Sequence, residues 1–209
     1  MRVYHFLNKK YGLESLKKRR LKIAEIMSLN DPFELLSINL SDPLLRRTFN
    51  ETKVALSNKR GILCFSKDWR NPVQWAHYSD KHKGICIGFD VPDDHLAKVN
   101  YARNRLRPRN EIDEQFMLKV LSTKFSHWRY EQEYRVFISL EDKTGDYYFK
   151  YFSGELTPKQ VIVGAMSDIS RADIDQALGD MKADIEVFKA RPAFRTFRIV
   201  KQLKESLWT

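Results

Sequence analysis

The stretch Trp128-Arg129-Tyr130-Glu131-Gln132-Glu133-Tyr134-Arg135 sets two carboxylates two positions apart, with a guanidinium two positions further on, among aromatic residues. Strand side chains alternate, so Glu131, Glu133 and Arg135 share one face while Tyr134, Val136 and Ile138 turn to the core. That face suits a carboxylate steadied by an arginine beside a cleft, or an arginine gripping a phosphate. Other polar residues sit in aromatic company: His5 between Tyr4 and Phe6, Ser66 after Phe65, and His77, Tyr78 and His82 near Trp75. Asp31 and Glu34 flank Pro32-Phe33 with the spacing of a first helical turn, where carboxylates meet the positive end of the macrodipole. Together with Glu131 and Glu133 they would alternatively serve as ligands of a Mg²⁺-dependent nuclease.

Common signatures are missing. There is no G-x-G-x-x-G, no G-x-x-x-x-G-K-[ST], no G-x-S-x-G and no H-E-x-x-H, which removes the usual basis for dinucleotide-fold, P-loop, hydrolase and zinc-protease readings. Cys64, His77, His82 and Cys86 would make a zinc set only without a C-x-x-C knuckle and with both cysteines inside apolar runs, so no metal is expected.

These residues need elements to hold them. Arg2–Phe6 reads as a first strand, with Val3 and His5 on the face opposite Tyr4 and Phe6. A helix follows from about Gly12 to Arg19. Residues 30–34 read as a turn into a helix capped by Asn30 or Asp31, and Ser41-Asp42-Pro43 opens a helix that runs to about Ser57. Gly61–Ser66 and Gly84–Phe89 are apolar strands, the second apolar throughout and therefore central. Between them Asn71-Pro72-Val73-Gln74 starts a helix. A long amphipathic helix is expected from Glu111 to Phe125, then a strand from Tyr134 to Ile138. Tyr147–Phe152, Gln160–Val163, Ile185–Phe188 and Thr196–Val200 read as strands, with a capped helix starting at Ser170. Strands and helices do not alternate regularly, which predicts an α+β fold in a single domain.

The 209 residues suit one hydrophobic core, and 43% apolar content is enough to fill it. No apolar run approaches the roughly 20 residues that span a bilayer, and no membrane partner is expected. Cys64 and Cys86 suit reduced core thiols, so a reducing, cytoplasmic location is expected. The net charge of +10 attracts polyanions. The excess is clustered in Lys9-Lys10, Lys17–Arg20, Arg103–Arg109 and Arg191–Lys204, which makes nucleic acid the expected partner of these patches.

The ordered series Tyr-His-Phe, Asn-Asp-Pro-Phe-Glu, Cys-Phe-Ser, Trp-Ala-His-Tyr, His-Lys-Gly-Ile-Cys-Ile-Gly-Phe-Asp and Trp-x-Tyr-Glu-x-Glu-Tyr-Arg resembles the domain of unknown function 2971 family. The likeness runs from about Tyr4 to Ile138, with a weaker echo at Val161-Ile162-Val163-Gly164. A more distant similarity is to the His-Tyr-Glu layout of ADP-ribosyltransferases, nearest the branch that modifies DNA bases. That resemblance implies a split, mixed β-sheet clasped by helices around NAD as substrate, without a glycine loop. It gives His5 the role of holding the adenosine ribose and Ser66 or Tyr78 the middle position against the nicotinamide ribose. Glu133 becomes the catalytic carboxylate, with Glu131 the second acid two residues before it and Arg135 at Glu133 or at a phosphate. Breaking the nicotinamide–ribose bond builds positive charge on the ribose, as glycoside hydrolysis does, and a fixed carboxylate lowers that barrier.

Three functions follow as expectations. The first is NAD-dependent transfer of ADP-ribose to a nucleic acid or protein. The second is a non-catalytic nucleic-acid-binding module using Lys and Arg for phosphates and aromatics for stacking. The third is the Mg²⁺-dependent nuclease.

Overall fold

The computed structural model describes residues 1–34, 36–109 and 113–208, without the side chain of Glu114. Thirteen strands are present among them: β1 Arg2–Leu7, β2 Arg20–Lys22, β3 Ala24–Glu25, β4 Arg60–Ser66, β5 Ile85–Asp90, β6 Ala97–Lys98, β7 Asn100–Ala102, β8 Thr123–Phe125, β9 Glu133–Ser139, β10 Phe149–Tyr151, β11 Thr157–Val163, β12 Glu186–Pro192 and β13 Ile199–Lys201. The α-helices are α1 Lys9–Lys18, α2 Pro43–Ser57, α3 Pro72–Tyr78, α4 Glu114–Leu121 and α5 Arg171–Leu178. The α+β expectation is met at this level. No helix among the described residues is long and apolar enough to cross a membrane.

The residues gather into two compact units built from interleaved segments. The first takes Met1–Leu21, Phe65–Asp93 and the chain from Lys150 onward, and the second takes Lys22–Cys64 and Asp94–Phe149.

In the first unit β5 is central. It lies antiparallel to β1 on one side, from Arg2 opposite Asp90 to Leu7 opposite Ile85, and to β11 on the other. β12 runs parallel to β11, and β13 returns antiparallel to β12, so the sheet is mixed. Ile85, Cys86, Ile87 and Phe89 are wholly shielded from solvent, as a strand flanked on both edges and covered on both faces requires. Alternation along β1 sends Tyr4 and Phe6 into a cluster with Trp69, Trp75, Cys86 and Ile162, while His5 meets the ring of Phe65 edge-on.

The helix caps are local. Asn8 accepts from Tyr11 N–H at the start of α1, Asp42 from Leu45 N–H at α2 and Asn71 from Val73 N–H at α3, and Ser170 with Asp173 forms a capping box at α5. After α3 three left-handed residues, Asp80, Lys81 and His82, reverse the chain. The carbonyl of His82 then accepts from Met166 N–H, and its ring stacks on Trp75. This reversal works because Gly84 and Gly164 carry no Cβ. One at Gly84 would lie 2.0 Å from the Leu7 carbonyl oxygen, and one at Gly164 would lie 2.2 Å from that of His82.

In the second unit β3 pairs antiparallel with β4, β6 pairs antiparallel with β9, and β7 runs parallel to β8. One apolar cluster joins Ile38, Leu40, Phe49 of α2, and Phe116 and Val120 of α4; another joins Ile26 and Ile62 with Cys64 and Phe137.

Several expected elements differ. The helix expected over 111–125 is α4, ending at Leu121; Ser122 closes it by donating to the Leu118 carbonyl, and Thr123–Phe125 become β8. Glu111 and Ile112 lie outside the described residues. Residues 30–34 form a turn, with Asp31 accepting from Phe33 N–H, and the described chain after it is irregular, with an isolated bridge from Ile38 to Leu106, not helical. α1 begins at Lys9, earlier than Gly12, because Asn8 caps it. Thr196 belongs to the loop before β13.

The largest correction concerns β9. Glu133 and Arg135 point to its buried side, 4% and 1% exposed, while Tyr134, Val136 and Ile138 are only half-buried. Glu131 precedes the strand on a 3₁₀ turn and reaches the same place because Gln132 is left-handed.

Candidate functional site

Five charged side chains of the second unit meet below its surface. Lys124 of β8 directs Nζ to 2.7 Å from Glu131, 3.2 Å from Glu133 and 3.8 Å from Glu34. Arg135 donates Nε to Glu133 Oε1 at 2.8 Å and Nη2 to Glu133 Oε2 at 3.1 Å, a bidentate grip. Its Nη2 also lies 2.7 Å from Glu34 Oε1, and Nη1 donates to the Leu121 carbonyl. Glu34 Oε1 is fully buried and that ionic contact lacks hydrogen-bond geometry. All five residues are buried, and burying charges at this depth is tolerated only when partners and hydrogen bonds offset lost hydration.

The electrostatics follow from these contacts. Burial opposes ionisation of Glu133, but the charge and hydrogen bonds of Arg135, then Lys124, outweigh it and hold the carboxyl below its ordinary range. Burial likewise opposes the Lys124 ammonium, yet Glu133, Glu131 and Glu34 together raise it above an ordinary lysine. Cys64 donates its thiol to Glu133, and burial followed by that carboxylate's charge pushes the thiol well up. Tyr101 Oη accepts from the Glu133 N–H at 2.8 Å, and burial pushes the phenol up to about 12. Trp128 lays its ring 4.8 Å from Lys124 Nζ.

Above this network opens a cavity of about 280 Å³. Glu34, Ser37, Thr123 and Lys124, all buried, form its floor, and exposed Phe33, Phe125, Arg103 and Arg105 form its rim. The Arg105 guanidinium covers the Phe33 ring at 5.2 Å. Arg103, Arg105, Arg107 and Arg109 are exposed and form no ion pair with a carboxylate among the described residues, whereas Arg2, Arg47 and Arg198 each do.

Of the residues expected to act, Glu131, Glu133 and Arg135 are brought together here. His5, Ser66 and Tyr78 belong to the first unit. Ser66 lies opposite Tyr4 on the neighbouring strand; its Oγ donates to the Asp68 carbonyl and accepts from Gln74 Nε2, tying the loop that leads to α3. Tyr78 ends α3 and lines a separate surface depression with Lys9, Lys10 and His77. Glu34, expected as a first-turn residue or as a Mg²⁺ ligand with Asp31, Glu131 and Glu133, joins the buried network, whereas Lys124 is a functional candidate that the sequence disguises. Lys124 fits a helical repeat, and a carboxylate in a turn is ordinarily solvated; Thr123-Lys124-Phe125 with its β-formers was the one available signal. Among the described residues no group of three or more His, Cys, Asp or Glu is placed to hold a metal; the three carboxylates here face Lys124 and Arg135.

A family model described as a protein of unknown function (DUF2971) matches residues 74–136. The matched segment is under a third of the chain, and it contains Lys124, Glu131, Glu133, Arg135 and the arginines of the rim, but not Glu34. No curated protein and no solved structure matches the chain.

Proposed function

We propose that the second unit binds a nucleotide in the cavity above Lys124 and that the chain acts on NAD by ADP-ribosyl transfer. The observation that carries this reading is the polarity of the cavity. Its rim presents two arginines without carboxylate partners among the described residues, together with two phenylalanines, while its floor rests on three carboxylates against two cations, a net negative charge. Phosphates are drawn to the rim guanidiniums, which offer several donors in a fixed plane, and a base packs on Phe33 or Phe125. Positive charge developing on a ribose is favoured over the floor. The volume lies just below the ~300–1,000 Å³ typical of small-molecule sites, enough for one nucleoside-sized group with the rest of the ligand running over the arginines. Cleavage itself is supported by the resemblance, which casts Glu133 as the catalytic carboxylate.

A second reading, nucleotide binding without cleavage, is favoured by one contact set: both oxygens of Glu133 are already engaged, by Arg135 and by Lys124. One experiment separates the two. NAD and ADP-ribose are titrated by calorimetry into wild type, Arg103→Ala/Arg105→Ala and Glu133→Gln, and nicotinamide release is followed with DNA, RNA and protein acceptors. Transfer predicts release that falls about 10²–10³-fold in Glu133→Gln and weaker binding in the double arginine variant. Binding without release supports the second reading. Failure of wild type to bind either compound would sink both.

A further inference from the structure

The first unit carries a feature that the cavity does not use. Strands β12 and β13 form a hairpin, with Arg191 opposite Val200 and Pro192 opposite Ile199, closed by Ala193 N–H donating to the Arg198 carbonyl. One face is anchored: Phe188, Ala190 and Ile199 are buried against Trp69 and Trp75. The tip, Phe194-Arg195-Thr196-Phe197, stands in solvent, with Phe194 90% and Phe197 99% exposed. Two phenylalanines so exposed on an anchored hairpin contribute nothing to the core, since apolar side chains stabilise only when removed from water. Residues 187–204 contain six lysines and arginines and no acidic residue. A shallow depression of about 440 Å³ runs along the hairpin between Phe194, Val200 and Leu203, with Arg191, Arg195 and Lys201 at its border.

We propose that this hairpin is an arm that binds single-stranded nucleic acid, with Phe194 and Phe197 stacking on bases and Arg191, Arg195 and Lys204 contacting phosphates. Charge complementarity selects a polyanion, and the rings select one with exposed bases, because a base in a duplex is already stacked on its neighbours. An anionic membrane fits less well. The Arg191 guanidinium sits 4.4 Å from the Phe194 ring centre, so driving that ring into hydrocarbon would drag a cation with it, a costly transfer. With one face covered by a cation, the ring instead offers the other face to a base. A second copy of the chain would bring two acid-free basic hairpins together and is disfavoured by repulsion. This inference stands independently of the nucleotide cavity.

The test is fluorescence anisotropy of a labelled oligothymidylate with the full chain, repeated with a DNA duplex and with vesicles containing phosphatidylserine. Phe194→Ala/Phe197→Ala removes only solvent-exposed rings, so folding should be unchanged, and oligothymidylate binding should weaken by at least about tenfold while its salt dependence stays the same. Arg195→Ala/Lys204→Ala should lower the slope of log affinity against log salt by about 1.4, since each phosphate contact on a single strand contributes about 0.7. Duplex binding should be indifferent to the phenylalanines. Unchanged oligothymidylate affinity in Phe194→Ala/Phe197→Ala overturns the proposal. So does a loss confined to vesicle binding, which would make the arm a membrane contact.

Discussion

Lys124 is held by three carboxylates and holds them in turn. Lys124→Met removes the buried cation that Glu34, Glu131 and Glu133 share, so it should cost roughly 3–5 kcal/mol of stability, the usual range for breaking a buried pair, read from urea midpoints. Adding Glu131→Gln should recover part of that loss, because the two changes remove opposite charges from one network. The same residues set the pH dependence. Glu133 is held below its ordinary value, so its contribution is present above the ordinary glutamate range and is lost as pH falls through the native value. Lys124 is raised, so its contribution is present below the ordinary lysine pKa and is lost as pH climbs past the native one. Stability should therefore be flat across neutral pH and fall on both sides, with the acid limb shallower in Glu133→Gln; equal acid limbs in both proteins would contradict the assigned role. The trio Glu131, Glu133 and Arg135 was legible from spacing alone, and its burial was not. A run of charges reads as a solvated face unless the opposing cation is known, and Lys124 meets Glu133 only because β8 pairs with β7, whose Tyr101 Oη accepts from the Glu133 N–H.

Elements that announce themselves by local chemistry were readable. β4 and β5 are short apolar runs, β9 and β11 hold such runs in Val136–Ile138 and Val161–Val163, and the caps at Asp42, Asn71 and Ser170 sit one residue before their helices. Elements created by distant contacts were not: β3, β6, β7 and β8 are two or three residues long and exist because a partner strand lies alongside. The same dependence on partners governs the glycines. In Gly164→Ala the added methyl would lie 2.2 Å from a backbone carbonyl oxygen that Met166 already fixes, so the loss should exceed about 2 kcal/mol. Gly154→Ala meets nothing within 4 Å and has no positive φ. It should be neutral or stabilise by about 0.4–1 kcal/mol. Thermal or urea midpoints of the two variants give the comparison directly, and similar losses in both would show that close backbone approach is not what Gly164 serves.

The chain enters the second unit twice and the first three times, so neither unit is a contiguous stretch, and the matched segment 74–136 contains neither one whole. A fragment of residues 94–149 keeps Lys124, Glu131, Glu133 and Arg135 but lacks Glu34, Cys64 and β4. It should be unfolded by circular dichroism, whereas a fragment that folded alone would refute this dependence. The interleaving also has a temporal side. β5 is the most apolar strand of the chain and needs β1 on one edge and β11 on the other, yet β11 follows it by roughly 70 residues. At about 5–20 residues per second of translation, the ribosome leaves that edge of β5 without its neighbour for about 4–14 s. For that interval Ile85, Cys86 and Ile87 offer a sticky edge to any nascent chain nearby, and holding it off falls to chaperones rather than to the fold.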